Sequence, residues 1–267
     1  MSENRTLVMG ILNITPDSFA DGGKHFDFES AILRAKEMID EGVDIIDVGG
    51  ESTRPGAERV SEEEERVRVI PVVTELAELG VSVSIDTMRA STAAADIGAG
   101  ATYVNDVSGG LADIDMAKVI ASNPLVQYIV MHWRGHSVAM QANATYEDVV
   151  SEVKDELDER IIELLKAGVS AEQIIIDPGI GFAKKAEHNW DLLRNLDRLA
   201  LLGYPILIGA SRKKFLGELL GANSPDDREA ATIALTTKLA LAGVWGVRTH
   251  AVKAHRDAIA VAMELLK

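Results

Sequence analysis

The sequence contains no cysteine, which excludes disulfide cross-links and thiolate chemistry. It also lacks a long apolar run: Met1 to Arg5 are polar and lead into an apolar stretch from Leu7 to Leu12, too short for the core of a secretory leader or for a membrane span. A cytoplasmic protein is therefore the expectation. Aromatic residues make up only 4% of the chain, prolines number 7, and the 22 glycines fall at intervals rather than in tracts, so there is no low-complexity segment. Positive charge is scarce as well, with 27 basic against 42 acidic side chains and a net charge of −15. So acidic a surface repels polyanions, which argues against nucleic acid or an anionic membrane as principal partner and leaves room for a local basic cluster around a small anion.

The 267 residues are 47% hydrophobic, an ordinary globular composition, and no linker interrupts them, so one domain over 1–267 is expected. Short β-branched apolar runs alternate with longer amphipathic stretches from end to end, as buried parallel strands and covering helices do. Strands are placed at Leu7 to Leu12, Val43 to Val48, Val81 to Ile85, Thr102 to Val104, Val126 to Met131, Ile174 to Ile176, Pro205 to Ile208 and Val244 to Arg248. Helix boundaries are marked by a capping box of Ser61 with Glu64, by Gly80, Gly168 and Gly243 at helix ends, and by Ser224 with Pro225 at a helix start. Pro71 should kink the second helix. Eight strands recurring about every 34 residues predict an α/β single-domain (β/α)8 TIM barrel. An open doubly wound sheet is the alternative, but its glycine-rich turn is missing after the first strand. Gly179 to Lys184 is an incomplete late match.

Each apolar run ends in polar or glycine residues: Asn13, Asp47 to Arg54, Asp86-Thr87, Asn105-Asp106, His132, Asp177-Pro178-Gly179, Ser211-Arg212-Lys213 and Arg248-Thr249-His250. In a barrel these share the face on which barrel enzymes build their sites, with phosphate commonly held after strands seven and eight. Ser211 to Lys214, at an apparent helix start, and Arg248 with His250 form a candidate anion site there. Any single Asp or Asn after a strand is an ordinary turn or cap residue, and the argument rests on their joint placement. His132 and His136 have metal-ligand spacing but follow a strand without a third ligand nearby, Glu62 to Glu65 read as a solvated first helical turn, and the three tryptophans read as packing residues.

Taken in order, these motifs resemble the dihydropteroate synthase family from Leu7 to about Ala262. They are Met9 to Phe19, Asp44 to Gly56, Ile85-Asp86-Thr87, Asn105 to Gly110, Asp177 to Phe182, and Ser211-Arg212-Lys213 before Phe215-Leu216-Gly217. The resemblance implies a barrel enzyme, usually a homodimer, that uses Mg²⁺ to condense 6-hydroxymethyl-7,8-dihydropterin pyrophosphate with p-aminobenzoate, giving 7,8-dihydropteroate and pyrophosphate.

It further implies roles for individual residues. Asp177 would accept the paired donors of the pterin, with Asp86 and Asn105 on the other ring edges, Lys213 toward the ring carbonyl, and Val107, Met131 and Phe182 lining the pocket. Arg248, His250 and Asn13 would lie near the pyrophosphate, Asn13 also as a Mg²⁺ ligand. Phe19, Thr53 and Pro55 would contact p-aminobenzoate and Ser211 its carboxylate, while Asp17, Asp21 and Arg54 would help close the loops Thr15 to Gly23 and Glu51 to Gly56 over the site. Two positions depart from the family: Ala251 stands where Asp is common after the histidine, and Trp133 where Met is frequent. A methyltetrahydrofolate:corrinoid methyltransferase shares the Asp/Asn/Asp pocket but has no use for the Lys213, Arg248 and His250 cations. A non-catalytic pterin-binding paralogue would not need Asn13, Arg54 and Lys213.

Overall fold

The structure is a computed structural model that describes residues 5–14, 28–51, 60–135 and 143–267. Eight strands alternate with helices: β1 (Leu7–Asn13), β2 (Ile45–Gly49), β3 (Ser82–Asp86), β4 (Tyr103–Asp106), β5 (Gln127–Met131), β6 (Ile174–Asp177), β7 (Leu207–Ile208) and β8 (Gly246–Thr249). The α-helices are α1 (Phe28–Asp40), α2 (Glu62–Glu78), α3 (Ala90–Ala99), α4 (Met116–Ala121), α5 (Val149–Lys166), α6 (Ala186–Arg194), α7 (Leu196–Ala200), α8 (Lys214–Leu220), α9 (Glu229–Leu241) and α10 (Val252–Leu265). All strand pairs are parallel, in the order β6-β5-β4-β3-β2-β1-β8-β7. A bridge between Ile176 and Ile206 joins the two ends, so the sheet closes into a (β/α)8 barrel.

All eight predicted strands are present, and the differences at their ends have local causes. Val43 and Val244 are β-branched and fit the starts of strands, but each donates its N–H back to the preceding helix end, at Met38 O (2.9 Å) and Leu239 O (3.3 Å). The run at Pro205 forms a ladder only from Leu207, because proline has no N–H to donate; its carbonyl accepts from Ile176 at 2.9 Å.

One expectation about α2 changes. Ser61 accepts from the Glu64 N–H (3.2 Å), but the Glu64 carboxylate is taken by Arg68, so only half of the capping box forms. The helix is continuous through Pro71, which sits on its exposed face opposite buried Val69, Val72 and Val73. The carbonyl that proline leaves without a donor belongs to Val67, whose side chain is 67% exposed, so water is at hand for it.

Strand periodicity separates two apolar layers. Val8, Ile46, Val83, Val104, Val130, Ile176, Ile208 and Val247 face the helices, while Met9, Ile45, Ile129, Ile175 and Leu207 form a separate cluster in the lumen, on which Leu7, Tyr103 and Trp245 pack. Truncating one of these, for example Ile129→Ala, should cost about 2–5 kcal/mol, since the closed ring cannot collapse around the cavity. Two residues further along the same strands the lumen turns polar: Asp47, Asn105, Asp177 and Arg248 each follow an inward apolar or glycine position. The apolar layer is thus the floor on which the charged one stands.

Candidate active site

Asn13, Asp86, Asn105, Met131, Asp177 and Arg248 end or nearly end their strands at one mouth of the barrel, with Ser211, Lys213 and His250 just beyond β7 and β8. Arg248 spans this mouth. Its Nε donates to Asp47 Oδ2 at 2.5 Å and its Nη2 to Asp86 Oδ2 at 2.7 Å, while Asn105 Nδ2 also donates to Asp47 Oδ2 at 3.0 Å. Burial works against the guanidinium charge, but Asp47, Asp86 and Asp177 outweigh it and raise Arg248 above the ordinary arginine value. Burial lifts Asp86 to about 7; Arg248 opposes this, and Asp47, Glu65 and Asp106 add to it.

On the other side of the lumen Asp177 accepts the Gly179 N–H at Oδ1 (2.7 Å). Burial raises its pKa, and Lys213, the Gly179 N–H, Arg248 and Lys184 hold it down. Lys213 donates to the Ile180 carbonyl, lies 4.4 Å from the centroid of the Phe182 ring and is lowered to about 8 by burial. Gly181 makes this possible, since at φ +83° a Cβ there would come 2.8 Å from Lys213 Cδ. Gly209 keeps the neighbouring space open; a Cβ on it would reach 3.7 Å from Asp177 Oδ2 and 3.9 Å from Arg248 Cβ. Met131, paired in register with Asp177, is buried, Val107 is buried beyond β4, and Phe182 is half-buried. A polar, charge-balanced rim therefore surrounds apolar surfaces suited to a flat heterocycle.

At the β7 and β8 end the Ser211 hydroxyl lies 2.9 Å from His250 Nδ1, and the His250 N–H donates to Ser211 Oγ at 3.3 Å. The cation cluster read after β7 is smaller than expected. Arg212, at φ +56°, turns to Asp226 (2.7 Å) and Glu229 (2.6 Å), and Lys214 is 86% exposed beside Glu218, so Lys213 alone of these three lies at the mouth. The Glu62 to Glu65 run is likewise not uniformly solvated: Glu65 is buried and accepts from Thr87 (2.8 Å), Thr92 (3.1 Å) and Arg89. Phe19, Thr53 and Pro55, together with Asp17, Asp21, Arg54 and His136, lie outside the described residues.

Several groups at this mouth have no individual role assigned from the sequence. Asp47 carries two hydrogen bonds of the site, and its two-residue phase with Ile45 and Gly49 was the available signal. Asp106 is not a ligand group; it accepts from Ser108 N and Oγ, Gly110 N and Tyr128 OH and so shapes the turn after Asn105. Lys184, His132 and Glu156 form a chain behind Asp177 that spacing could not reveal. Ala251 occupies the N-cap of α10 without a side-chain cap bond.

For a metal, no group of three or more His, Cys, Asp or Glu side chains forms a cage among the described residues. Asn13, at the end of β1, presents one side-chain oxygen at the mouth, the kind of single protein donor that a largely hydrated magnesium ion would take. Gly49 leaves a gap beside such a ligand, for a Cβ there would come 3.5 Å from Asn13 Oδ1 and 3.9 Å from Asp86 Oδ2.

Comparison with known proteins agrees with this geometry. The family model described as "Pterin binding enzyme" matches residues 9–250. The dihydropteroate synthase of Mycobacterium leprae is 49% identical over 260 residues, covering 95% of this chain and 91% of that protein. The chain also matches an Arabidopsis thaliana folate synthesis bifunctional protein at 45% identity and spans 55% of its length. Among solved structures, Xanthomonas albilineans dihydropteroate synthase with 4-aminobenzoic acid superposes with a TM-score of 0.92 at 40% identity, covering 98% of this chain and 93% of that one. The same enzyme in complex with 7,8-dihydropteroate gives 0.89 at 37% identity, covering 100% and 95%. This chain belongs to the pterin binding enzyme family, among its dihydropteroate synthases.

Proposed function

We propose that the chain condenses 6-hydroxymethyl-7,8-dihydropterin pyrophosphate with p-aminobenzoate to give 7,8-dihydropteroate and pyrophosphate. The observation that carries this reading is the buried Asp177 carboxylate between cations at a barrel mouth walled by Met131 and Phe182, in a chain with such relatives. An ionised carboxylate accepts the N3–H and 2-amino pair of a pterin as it accepts an arginine fork. Asp86 and Asn105 are the polar groups for the remaining ring edges, and Lys213 is the donor toward the ring carbonyl.

The electron-rich dihydropterin delocalises positive charge on its methylene carbon, so the C–O bond to pyrophosphate breaks ahead of attack. Arg248 spends two of its five N–H donors on Asp47 and Asp86, and those left by count, with His250, serve the departing anion. The aniline nitrogen then attacks the methylene carbon and loses a proton. It is neutral at pH 7, so no strong general base is needed. Ser211 is assigned to the p-aminobenzoate carboxylate, and Phe19, Thr53, Pro55, Asp21 and Arg54 keep the loop roles that the family resemblance gives them. Mg²⁺ held through Asn13 would supply charge neutralisation at the pyrophosphate oxygens.

A cytoplasmic homodimer completes the proposal. No helix among the described residues is long and apolar enough to cross a membrane. Leu241, Val261 and Leu265, on the neighbouring helices α9 and α10, are exposed apolar side chains of the kind an interface covers. Sedimentation at micromolar concentration checks this, and a monomer there would remove it.

The experiment is a steady-state assay with the dihydropterin pyrophosphate, p-aminobenzoate and Mg²⁺, reading dihydropteroate and pyrophosphate together against controls lacking one component each. Turnover that needs all three is expected. Pterin binding without pyrophosphate release would instead assign a non-catalytic pterin-binding protein.

A further inference from the structure

Lys184 is a lysine only 4% exposed, and its first partner is an imidazole rather than a carboxylate. Its Nζ lies 3.0 Å from His132 Nδ1 and 3.1 Å from the Phe182 carbonyl. An ammonium can only donate, so Nδ1 must accept, which places the imidazole proton on Nε2. That nitrogen lies 2.9 Å from Glu156 Oε2. Glu156 is in turn gripped by Arg134, whose Nε reaches both carboxylate oxygens at 3.1 Å and whose Nη2 bonds Oε1 as well. Three separate elements thus meet in one chain: the loop after β6, the end of β5 and helix α5.

The near end of this chain stands directly behind the Asp177 turn. Gly179 donates its N–H to Asp177 Oδ1 at 2.7 Å, and at φ +69° a Cβ on Gly179 would come 3.4 Å from Lys184 Nζ. Lys184 also holds the Phe182 carbonyl, so one ammonium braces the 178–182 turn, and its charge acts on the carboxylate at the root of that turn. The charged groups around the pair are Lys213 beyond β7 and Arg248 on β8, which act on Asp177, and Arg134 beyond β5 and Glu156 on α5, which act on Lys184.

We propose that Lys184, oriented by His132 and Glu156, is a positioning residue that keeps the Asp177 carboxylate charged and its turn shaped for the paired donors of a neutral heterocycle. The proposal rests on the pterin reading of the site. Two electrostatic features agree with it. Burial pushes His132 down to about 4, so the ring is neutral and able to accept at Nδ1. Glu156 is held near 2 because its bonds to His132 and Arg134 outweigh burial, so it stays an acceptor for the Nε2 proton. Burial also lowers Lys184 itself to about 7, with Asp177 and Glu156 favouring its charge and Lys213 and Arg134 opposing it, so the ammonium form prevails below that pH.

The test is the affinity for 6-hydroxymethylpterin, measured by calorimetry between pH 5 and pH 7. In the unaltered protein affinity should fall toward acid as Asp177 takes up a proton. Lys184→Met should move that limb to higher pH by about half a unit, a loss of up to about threefold in affinity at its acid end with little change at its neutral end, since removing an opposite charge raises a carboxylate. His132→Leu should shift the limb similarly. His132→Asn, whose Oδ1 can stand where Nδ1 accepts, should restore it, and Glu156→Gln, on a partly exposed side chain where folding is not at stake, should move it in the same direction by less. A loss of the same factor at every pH in Lys184→Met and His132→Leu, or no change in either, overturns the proposal. An unaltered protein that binds no pterin at any pH would remove the pterin reading itself, a separate result.

Discussion

Arg248 Nη2 lies 2.7 Å from Asp86 Oδ2, although the two residues are 162 positions apart and sit on strands separated by β1 and β2. With the 2.5 Å bond to Asp47, this makes Arg248 the counter-ion of two buried carboxylates as well as a candidate for the departing anion. Removing it strands both. Arg248→Met should therefore destabilise the fold by roughly 3 kcal/mol in chemical denaturation, and by clearly less in an Asp86→Asn background. Equal losses in the two backgrounds would show that the pair carries no coupling.

Asp177→Asn keeps the shape of the side chain and removes its charge. Pterin affinity in calorimetry should fall by about 1.5–3 kcal/mol, roughly 10- to 150-fold. Unchanged affinity would take Asp177 out of ligand binding.

Ala251 bears on a departure that the sequence alone left open. The residue is the N-cap of α10, and its N–H bonds Thr249 Oγ1 at 3.3 Å while no side chain caps the helix. Ala251→Asp should therefore raise stability by about 0.5–2 kcal/mol through a cap bond and the helix dipole. Thermal denaturation decides this, and a destabilised variant would count against the capping role.

Asp96, on α3, is fully buried, and both its carboxylate oxygens lack a hydrogen-bond partner. Burial, with Glu65 adding, raises it to about 8. An acid raised in the folded state binds its proton there more tightly than in the unfolded chain, so its contribution to stability is greatest below about pH 4 and is lost as pH rises toward 8. Asp96→Asn should accordingly gain stability over the unaltered protein as pH increases from 4 to 8, on the order of 1–3 kcal/mol at the upper end. A gain independent of pH would show that Asp96 is not the titrating group.

The strands, their number and the barrel were readable because their signals are local: apolar runs with period two, glycines at helix ends, and polar residues at strand ends. Asp47 shows the boundary. Its phase along β2 was visible, but that its carboxylate would meet Arg248 across 201 residues was not. Glu65 shows the same limit, since a glutamate in a first helical turn is ordinarily solvated and only the packing of Thr87, Arg89 and Thr92 against it makes it buried. Arg212 and Lys213 are adjacent in sequence yet serve opposite sides of one turn, because a positive φ at Arg212 sends its side chain to Asp226 and Glu229.

By itself the sequence determined which residues alternate between lumen and helix layer and which stand at the mouth of the barrel, because these follow from backbone geometry over a few residues. Which charges would neutralise one another, and that Lys184 would find His132 and Glu156 behind Asp177, was decided only when ring closure brought distant strands together. A charge buried there is costly unless another group of the protein takes the place of bulk water.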